Sequence, residues 1–346
     1  MPAGATTFRG TPLIGSHEPW GRRRRIMPAM PERLVYIDGE YHRESEARIS
    51  VFDSAVMLGD TATESTRTFG RRPFRLEDHV RRLYQSLKVM RIELAQSPAE
   101  LTRVTLETVE RNLPAYADDE DLWIVHNVSR GVFHPTGDPA VKRTATVIIH
   151  TAPMNLDYWA EFYVRGCHAV TPMSRAMPAQ SLDAKVKNRS RMAYTLAELE
   201  VKLVDPRAQS ILLDLDGFLA ENKGGNFFVV QEGVLKTPPT WQALDGITRR
   251  TTLEIAVRLG IPIAVCPLQP YDVYTADEAF FTSTPYCIMP ATRFNGLAVG
   301  DGRVGPIARA LLAGWSELAG YDLVDRALRR LSGPLRGELL AERARW

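Results

Sequence analysis

The pattern of hydrophobic and polar residues predicts that regular structure begins at Leu34. LVYIDGEYH reads as two β-rich runs around Asp38-Gly39, a turn dipeptide typical of hairpins. Apolar residues at helical spacing predict an amphipathic helix over residues 76–90, and a second helix is predicted over residues 98–111. The segments TATESTRTF, DLWIVHNVSRG and ATVIIHTAP read as further strands. Together these elements predict a small α+β domain over residues 34–152.

A second group of elements predicts a larger domain over residues 153–346. It contains a helix over residues 187–204, a hairpin region with turns at Asp216-Gly217 and Glu232-Gly233, and a helix over residues 247–259. Short strands and a C-terminal helix complete it. Because strands alternate with helices only in part, the pattern favours an α+β fold in two domains over a doubly wound parallel sheet.

Residues 1–33 differ from the rest, since they are rich in Gly and Pro and lack hydrophobic periodicity. We predict a flexible N-terminal extension, with Met27 or Met30 as alternative start positions. Residues 22–25 are all arginine, which leaves open a targeting arm or a nucleic-acid contact, although four arginines alone are a weak signal.

Composition and charge narrow the class of protein. A hydrophobic fraction of 45% and a charged fraction of 24% are those of an ordinary soluble globular protein. A formal net charge of +2 gives no reason to expect a nucleic-acid partner, and no run of eighteen apolar residues predicts a membrane span. Cys167, Cys266 and Cys287 are scattered without metal-ligand spacing, so we expect no metal site and a cytoplasmic protein.

Candidate chemistry is concentrated in two neighbouring segments. SLDAKVKNRSRMAYTLAELE carries Lys185 and Lys187 between an extended run and an amphipathic helix, and LLDLDGFLAENKGGNFFVV places an isolated Glu221 before a glycine pair. A lysine that performs covalent chemistry needs a rigid backbone, partial burial and a nearby electrostatic organiser. The two segments together supply residue types suited to that chemistry.

These segments, with LEDHVRRL, LDGITRRTTLEIA and FFTSTPYCIMP, resemble the class IV, or fold-type IV, aminotransferases in five motifs and in family order. That family comprises branched-chain aminotransferases, D-amino-acid transaminases and (R)-amine transaminases. The resemblance covers about residues 34–315. It implies the family's two-domain fold, pyridoxal 5'-phosphate as cofactor, a homodimer, and transfer of an amino group between an amino acid or amine and a 2-oxo acid.

The resemblance also implies roles for the lysine and the acidic residue. In the family the Schiff-base lysine follows a Leu-Asp-x-x-x run and precedes a helix with Ala and Glu, here Ala197 and Glu200, which selects Lys187 over Lys185 as the catalytic residue. Glu221 matches the carboxylate that contacts the pyridine nitrogen of the cofactor. An anion there keeps the nitrogen protonated, so that the ring absorbs electrons as the substrate Cα–H bond breaks.

A phosphate site is expected at the start of the helix that follows Gly246. Gly246, Ile247 and Thr248 offer free backbone N–H groups at the positive end of the helix dipole. The resemblance makes this the phosphate cup. It adds Arg82 as the charged partner of the phosphate and Thr284 as a further hydroxyl.

The expected substrate residues depart from the family. Trp123 and Val125 stand where branched-chain enzymes read Tyr-x-Arg, and Pro285 lacks the N–H that the family offers to the α-carboxylate. D-amino-acid transaminases use Arg and His on the next loop, where this chain has only His134. We therefore expect poor activity with leucine, isoleucine and valine. A specialised amino acid, or an amine without an α-carboxylate, is expected instead.

Arg191 and two histidines are the candidates that compensate for these losses. Arg191 is expected one helical turn beyond Lys187 on the same face, where many family members have Tyr near the phenolic oxygen of the cofactor. Three roles stay open for Arg191: it stabilises that phenolic oxygen, it binds a substrate anion, or it extends to the surface or a dimer partner. His126 and His134 are the other two candidates.

Three further functions stay open. An aminodeoxychorismate lyase-type enzyme shares the fold and the lysine but eliminates pyruvate. An ordinary branched-chain aminotransferase with a rearranged carboxylate pocket is the second, and a binding protein that has lost catalysis is the third. The Lys-Asn-Arg-Ser run and Glu64 favour a transaminase over the lyase, and retention of Lys187 and Glu221 argues against lost catalysis.

Overall fold

The computed structural model of the protein describes residues 31–133 and 144–346. Its first sheet is antiparallel throughout and has the strand order β2-β1-β6-β5-β3-β4. In chain order its strands are β1 Leu34–Ile37, β2 Glu40–Arg43, β3 Thr61–Phe69, β4 Arg72–Pro73, β5 Leu122–Ser129 and β6 Thr146–Pro153. The hairpin predicted at Asp38-Gly39 is therefore present between β1 and β2.

Two helices cover one face of this sheet. The helices of this part are α1 Ser54–Leu58, α2 Leu76–Met90 and α3 Pro98–Asn112, followed by a short 3-10 helix, Leu113–Ala115. The sequence starts α3 with Pro98 and a reciprocal capping box between Ser97 and Glu100. Leu83 and Leu101 on the buried faces of the helices pack in one core with Ile124 of β5. Periodicity thus located α2 and α3 correctly.

The second sheet is mixed and has the strand order β11-β10-β9-β12-β13-β7-β8, with β14 paired to β13. Its strands are β7 Cys167–Val170, β8 Gln209–Ser210, β9 Asn226–Gln231, β10 Val234–Thr237, β11 Ile263–Val265, β12 Glu278–Ser283, β13 Cys287–Phe294 and β14 Leu297–Ala298. The helices around it are α4 Leu156–Arg165, α5 Met192–Lys202, α6 Ile247–Arg258, α7 Pro270–Tyr274, α8 Pro306–Ala319, α9 Leu323–Arg330 and α10 Pro334–Arg343. Phe228 stacks on Phe280 across β9 and β12 in its core.

The α+β prediction is confirmed by these two sheets and their helices. The division at residue 152 stays a prediction, and the extension over residues 1–33 lies almost wholly outside the described residues. Of the predicted hairpin region, the turn at Glu232-Gly233 joins β9 and β10, but the chain around Asp216-Gly217 forms only an isolated bridge, Leu213 to Leu219. Within residues 31–133 and 144–346, no helix is long and apolar enough to cross a membrane.

The segment with the candidate lysine differs from its prediction. Helix α5 begins at Met192 and not near residue 187. Residues 187–189 are held extended against the edge of β3, because Thr63 N donates to Lys187 O at 3.0 Å and Arg189 N donates to Thr61 O at 2.9 Å. This pairing with a strand over a hundred residues away overrides the local helical pattern.

Candidate active site

A cavity of about 380 Å³ lies between the two sheets and collects most of the predicted site residues. β3 and β5 supply one wall, and the turn between β12 and β13 supplies another. The predicted residues that line it are Arg82, Trp123, Lys187, Arg191, Glu221, Gly246, Ile247, Thr248, Thr284 and Pro285. Residues far apart in the chain thus converge on one place.

Lys187 reaches this cavity from a fixed backbone. Besides its contact with Thr63, its N–H donates to Ser86 Oγ at 3.1 Å. Burial lowers the pKa of Lys187 to about 7, and the positive charge of Arg191 acts in the same direction while Glu64 opposes it. Lys185, by contrast, is exposed and pairs with Asp183, Nζ to Oδ2, at 3.2 Å. Of the two candidate lysines, Lys187 is the one that lines the cavity.

A pH titration tests this environment. Because burial disfavours the charged ammonium, the amine of Lys187 is expected to be neutral above about pH 7. In cofactor-free protein, competitive acetylation followed by mass spectrometry should show reactivity rising with a midpoint near pH 7. Arg191→Gln removes a positive charge that lowers the pKa, so it should move the midpoint upward. A midpoint near the ordinary lysine value of 10.5 would contradict the burial of the amine.

The start of α6 lies at one end of the cavity, with backbone N–H groups of the kind that suit an anion. Gly246 is its N-cap residue, and no side chain in the described part of the protein caps the first turn. A Cβ at Gly246 would lie 2.2 Å from Asn226 Oδ1, and Asn226 in turn donates to Leu244 O at 2.7 Å. Glycine is thus required for the close packing that presents the N–H groups of Ile247 and Thr248 to the cavity.

Arg82 extends this end of the cavity and is held by a buried carboxylate. Its Nε and Nη2 donate to Glu64 at 2.8 and 2.7 Å, and its Nη1 donates to Asp245 O at 2.8 Å. Burial alone would raise the pKa of Glu64, but Arg82 and His79 hold that pKa well below its ordinary value. The sequence marked Glu64 only as a family feature. Its function as the partner of Arg82 appears only in the fold.

Glu221 lies buried in the cavity wall with both oxygens engaged. Oε1 accepts from Tyr194 Oη at 2.8 Å and Oε2 accepts from Leu244 N at 2.9 Å. Burial and the charge of Glu221 both raise the pKa of Tyr194, so its hydroxyl stays protonated and donates. Tyr194 was missed in the sequence, although its position on the helix after the lysine was visible.

The strand alternation of β5 separates the predicted substrate residues. Trp123 lines the cavity, whereas His126 is on the opposite face, where its Nε2 is 2.8 Å from Thr105 Oγ1 of α3. Burial lowers the pKa of His126 to about 4, so this ring is neutral. His126 is therefore not among the residues that line the cavity. Val125 is buried without lining the cavity, and His134 lies outside the described residues.

Arg191 also differs from its prediction. It is the residue that precedes α5, so it is not one helical turn beyond Lys187. Its guanidinium stacks on the ring of Tyr194, 4.6 Å from the centroid, and lines the cavity. Pro285 lines it as well, and its carbonyl accepts from Arg67 Nη1 at 2.8 Å.

Several lining residues were not foreseen. They include hydroxyls of β3, aromatic residues of α4 and of the β12–β13 turn, and one more arginine, namely Thr63, Ser65, Tyr158, Trp159, Tyr286 and Arg189. Thr63 and Ser65 flank Glu64 in β3, so strand alternation places both of them on the opposite face from Glu64. This alternation could have indicated them as a pair. In the described ranges, no group of three or more His, Cys, Asp or Glu side chains is arranged to hold a metal ion.

Comparison with known proteins decides the family. Residues 61–294 match the family model "Amino-transferase class IV". The chain belongs to the class IV aminotransferases. It is therefore an enzyme, a transaminase that depends on pyridoxal phosphate, and the family prediction is confirmed.

Relatives and solved structures of the class IV aminotransferases agree over most of the chain. The branched-chain-amino-acid aminotransferase of Escherichia coli K12 is 31% identical over 283 residues, 80% of this chain and 90% of that protein. A provisionally named branched-chain-amino-acid aminotransferase of Methanocaldococcus jannaschii is 33% identical over 278 residues, 80% of this chain and 93% of that protein. The crystal structure of the branched-chain aminotransferase from Thermoproteus uzoniensis with norvaline superposes with a TM-score of 0.76 at 28% identity, covering 87% of this chain and 99% of that chain.

The cavity residues fit the family's cofactor. Pyridoxal phosphate needs an amine, an anion receptor and a carboxylate for its ring nitrogen, and Lys187, the start of α6 and Glu221 supply these three. Thr282 Oγ1 is buried at the cavity and has no hydrogen-bond partner among the described residues. An unpaired buried hydroxyl is what a site for a polar ligand is expected to contain.

Proposed function

We propose that Lys187 is the catalytic lysine of a transaminase that moves an amino group between an amino acid with a polar or aromatic side chain and a 2-oxo acid. The observation that carries this proposal is the position of Lys187. Its amine, with a pKa lowered to about 7, lines the same cavity as Glu221 and the start of α6. A neutral amine at physiological pH is suited to act as nucleophile and base.

The proposed roles follow from what each side chain touches. Pyridoxal phosphate, when bound, supplies a ring that takes up the electron pair of the substrate Cα–H bond. Lys187 Nζ would take the proton from the substrate Cα and return it to C4′ of the cofactor. Glu221, fixed by Tyr194 and Leu244, would keep the ring nitrogen protonated, while Arg82 and the start of α6 would hold the phosphate.

The cavity wall supports a polar or aromatic amino donor. Apart from Leu244, Ile247 and Pro285, its apolar lining side chains are aromatic, and β3 adds the hydroxyls of Thr63 and Ser65. Thr63 Oγ1 already donates to Asn127 Oδ1 at 3.0 Å, so Ser65 is the hydroxyl that a leucine, isoleucine or valine side chain would leave without a substrate partner. A second candidate, an ordinary branched-chain aminotransferase, is favoured by the names of the relatives at 31% and 33% identity.

A donor panel separates the two candidates. We expect tyrosine or glutamine, whose side chains can form a hydrogen bond with Ser65, to be at least about tenfold faster than leucine, isoleucine and valine, because an unpaired polar group costs about 1–3 kcal/mol. The measurement is the rate at which each donor converts the cofactor to its pyridoxamine form, followed by absorbance. Efficient conversion by all three branched-chain amino acids would support the second candidate instead.

We further propose a homodimer formed through exposed apolar residues near the cavity mouth. Four side chains follow one face of α5 and its end, and they are unusually exposed: Met192 79%, Leu196 50%, Leu199 60% and Leu203 90%. The α1 region adds Val51, Phe52, Val56 and Leu58, and Ser190 Oγ donates to Gly59 O at 2.9 Å between the two groups.

The three unpaired cysteines support a cytoplasmic location.

Disruption of this surface tests the dimer. Leu199→Glu places a charge in the proposed interface, where an unpaired buried charge is strongly unfavourable, so it should shift the protein to monomer. Sedimentation at micromolar concentration measures the change. Val89→Glu is the matched control, because Val89 is also 60% exposed but is on α2, outside both groups. A wild-type protein that sediments as a fully active monomer would refute the proposal.

A further inference from the structure

Two arginines at the cavity lack a carboxylate partner. Arg189 and Arg191 both line the cavity, and neither forms an ion pair within the described ranges. Burial lowers the pKa of Arg189, and the nearby positive charge of Arg191 lowers it further. Two neighbouring guanidinium groups repel each other, and an anion placed against both relieves that repulsion.

Contacts with β5 fix Arg189 on the cavity side of the first sheet. Its Nε donates to Asn127 Oδ1 at 2.8 Å, and Thr63 Oγ1 donates to the same oxygen at 3.0 Å. Asn127 and Trp123 are on the same face of β5, the face that Trp123 presents to the cavity. The Nη groups of Arg189 have no acceptor in the described part of the chain, so they are available to a ligand.

Arg191 is fixed from the other side. Its guanidinium lies over the ring of Tyr194, whose hydroxyl holds Glu221. Its charge also lowers the pKa of Lys187. Arg191 is thus held by Tyr194, next to Glu221, and its charge acts on the amine of Lys187.

The other cations of the cavity are already engaged or solvated. Arg82 is paired with Glu64, and Lys187 is assigned to the cofactor. Lys202 Nζ donates to the carbonyls of Ala208 at 3.2 Å and of Pro206 at 3.4 Å. Lys223 is exposed. Arg189 and Arg191 are therefore the lining cations that remain for a substrate anion.

We propose that Arg189 and Arg191 form the carboxylate-binding site of this enzyme. Its substrates are then amino acids and 2-oxo acids, and amines without a carboxylate are excluded as good donors. The planar fork of a guanidinium matches the two oxygens of a carboxylate. The inference rests on the proposed function, because it takes the cavity of Lys187 to be the substrate site.

A pair of unreactive probes tests the inference on the holoenzyme. 3-Phenylpropionate carries a carboxylate and no amine, and 3-phenylpropionamide replaces that carboxylate with a neutral amide. We expect Arg189→Gln and Arg191→Gln each to weaken binding of the acid by about 10- to 100-fold, measured by calorimetry, and to leave the amide within about threefold. Arg191→Lys keeps the charge but loses the fork, so it should recover only part of the loss.

Lys223→Gln is the matched control. It removes one positive charge from the cavity lining at a residue that, unlike Arg189, no hydrogen bond fixes within the described ranges, so the acid should lose less than about threefold. Equal losses for acid and amide would overturn the inference. So would a shift in the cofactor absorption band of Arg191→Gln without selective loss of the acid, since Arg191 would then serve the phenolic oxygen of the cofactor.

The failure of the inference is distinguishable from that of the proposed function. Borohydride fixes the cofactor on the lysine to which it is bonded, and mass spectrometry identifies that residue. If Lys187 carries the cofactor while acid binding is insensitive to both arginine variants, only the inference fails. If another lysine carries it, the proposed function fails as well.

Discussion

Lys187→Ala should lower the turnover number by about 10⁴-fold or more, the upper end of what a positioned general acid–base contributes. The amine of Lys187 is the one that lines the cavity with a lowered pKa. In the proposed mechanism, its loss removes both the covalent anchor of the cofactor and the group that moves the Cα proton. The measurements are the steady-state rate with the best donor and the residue labelled after borohydride reduction.

Lys185→Ala is the matched control for this variant. Lys185 is two residues away, exposed, and paired with Asp183, so its loss should leave both the rate and the label of Lys187 in place. A label on Lys185 in the wild-type protein would contradict the assignment. Residual activity of Lys187→Ala within tenfold of wild type would do the same.

Glu221→Gln should lower the turnover number by about 10²- to 10³-fold, the range observed when one preorganised electrostatic group is removed. The amide is isosteric but neutral, so it no longer favours the protonated ring nitrogen. The fold should survive, because Gln can accept from Leu244 N and donate to the hydroxyl of Tyr194 in place of the two bonds to Glu221. Turnover and the unfolding temperature are measured together.

Glu198→Gln provides the comparison. Glu198 is a second cavity-lining carboxylate, but its contacts are with the backbone and hydroxyl of Ser210 and not with the Glu221 cluster. The rate should change by less than about threefold. A Glu221→Gln enzyme that keeps at least a tenth of the wild-type rate would remove Glu221 from the proposed mechanism.

Local sequence was sufficient for elements whose stabilising contacts are themselves local. The limits of α2 and α3 follow from apolar residues at helical spacing, and Ser97 and Glu100 cap α3 within four residues of chain. The turn at Asp38-Gly39 is likewise a dipeptide signal. The motifs around Lys187, Glu221 and Gly246 were sufficient to identify the family. All three lie within residues 61–294, which the family model matches.

Where the prediction was wrong, a distant contact decided the conformation. The pattern after Lys187 is helical, yet residues 187–189 pair with β3, which only the completed fold brings beside them. Alternation alone likewise does not say which face of β5 meets the cavity, and only the fold shows that His126 is on the face of α3.

The sequence by itself therefore determined the α+β class and the family, and it singled out Lys187, one of the lysines that line the cavity. Only the tertiary structure decided what surrounds that lysine. The carboxylate of Glu64 behind Arg82, the hydroxyl of Tyr194 on Glu221, and Arg189 held against Asn127 all join residues from separate elements. The physical reason is that motifs repeat within a family, whereas the charge and shape of a pocket come from side chains that only long-range packing brings within hydrogen-bond distance.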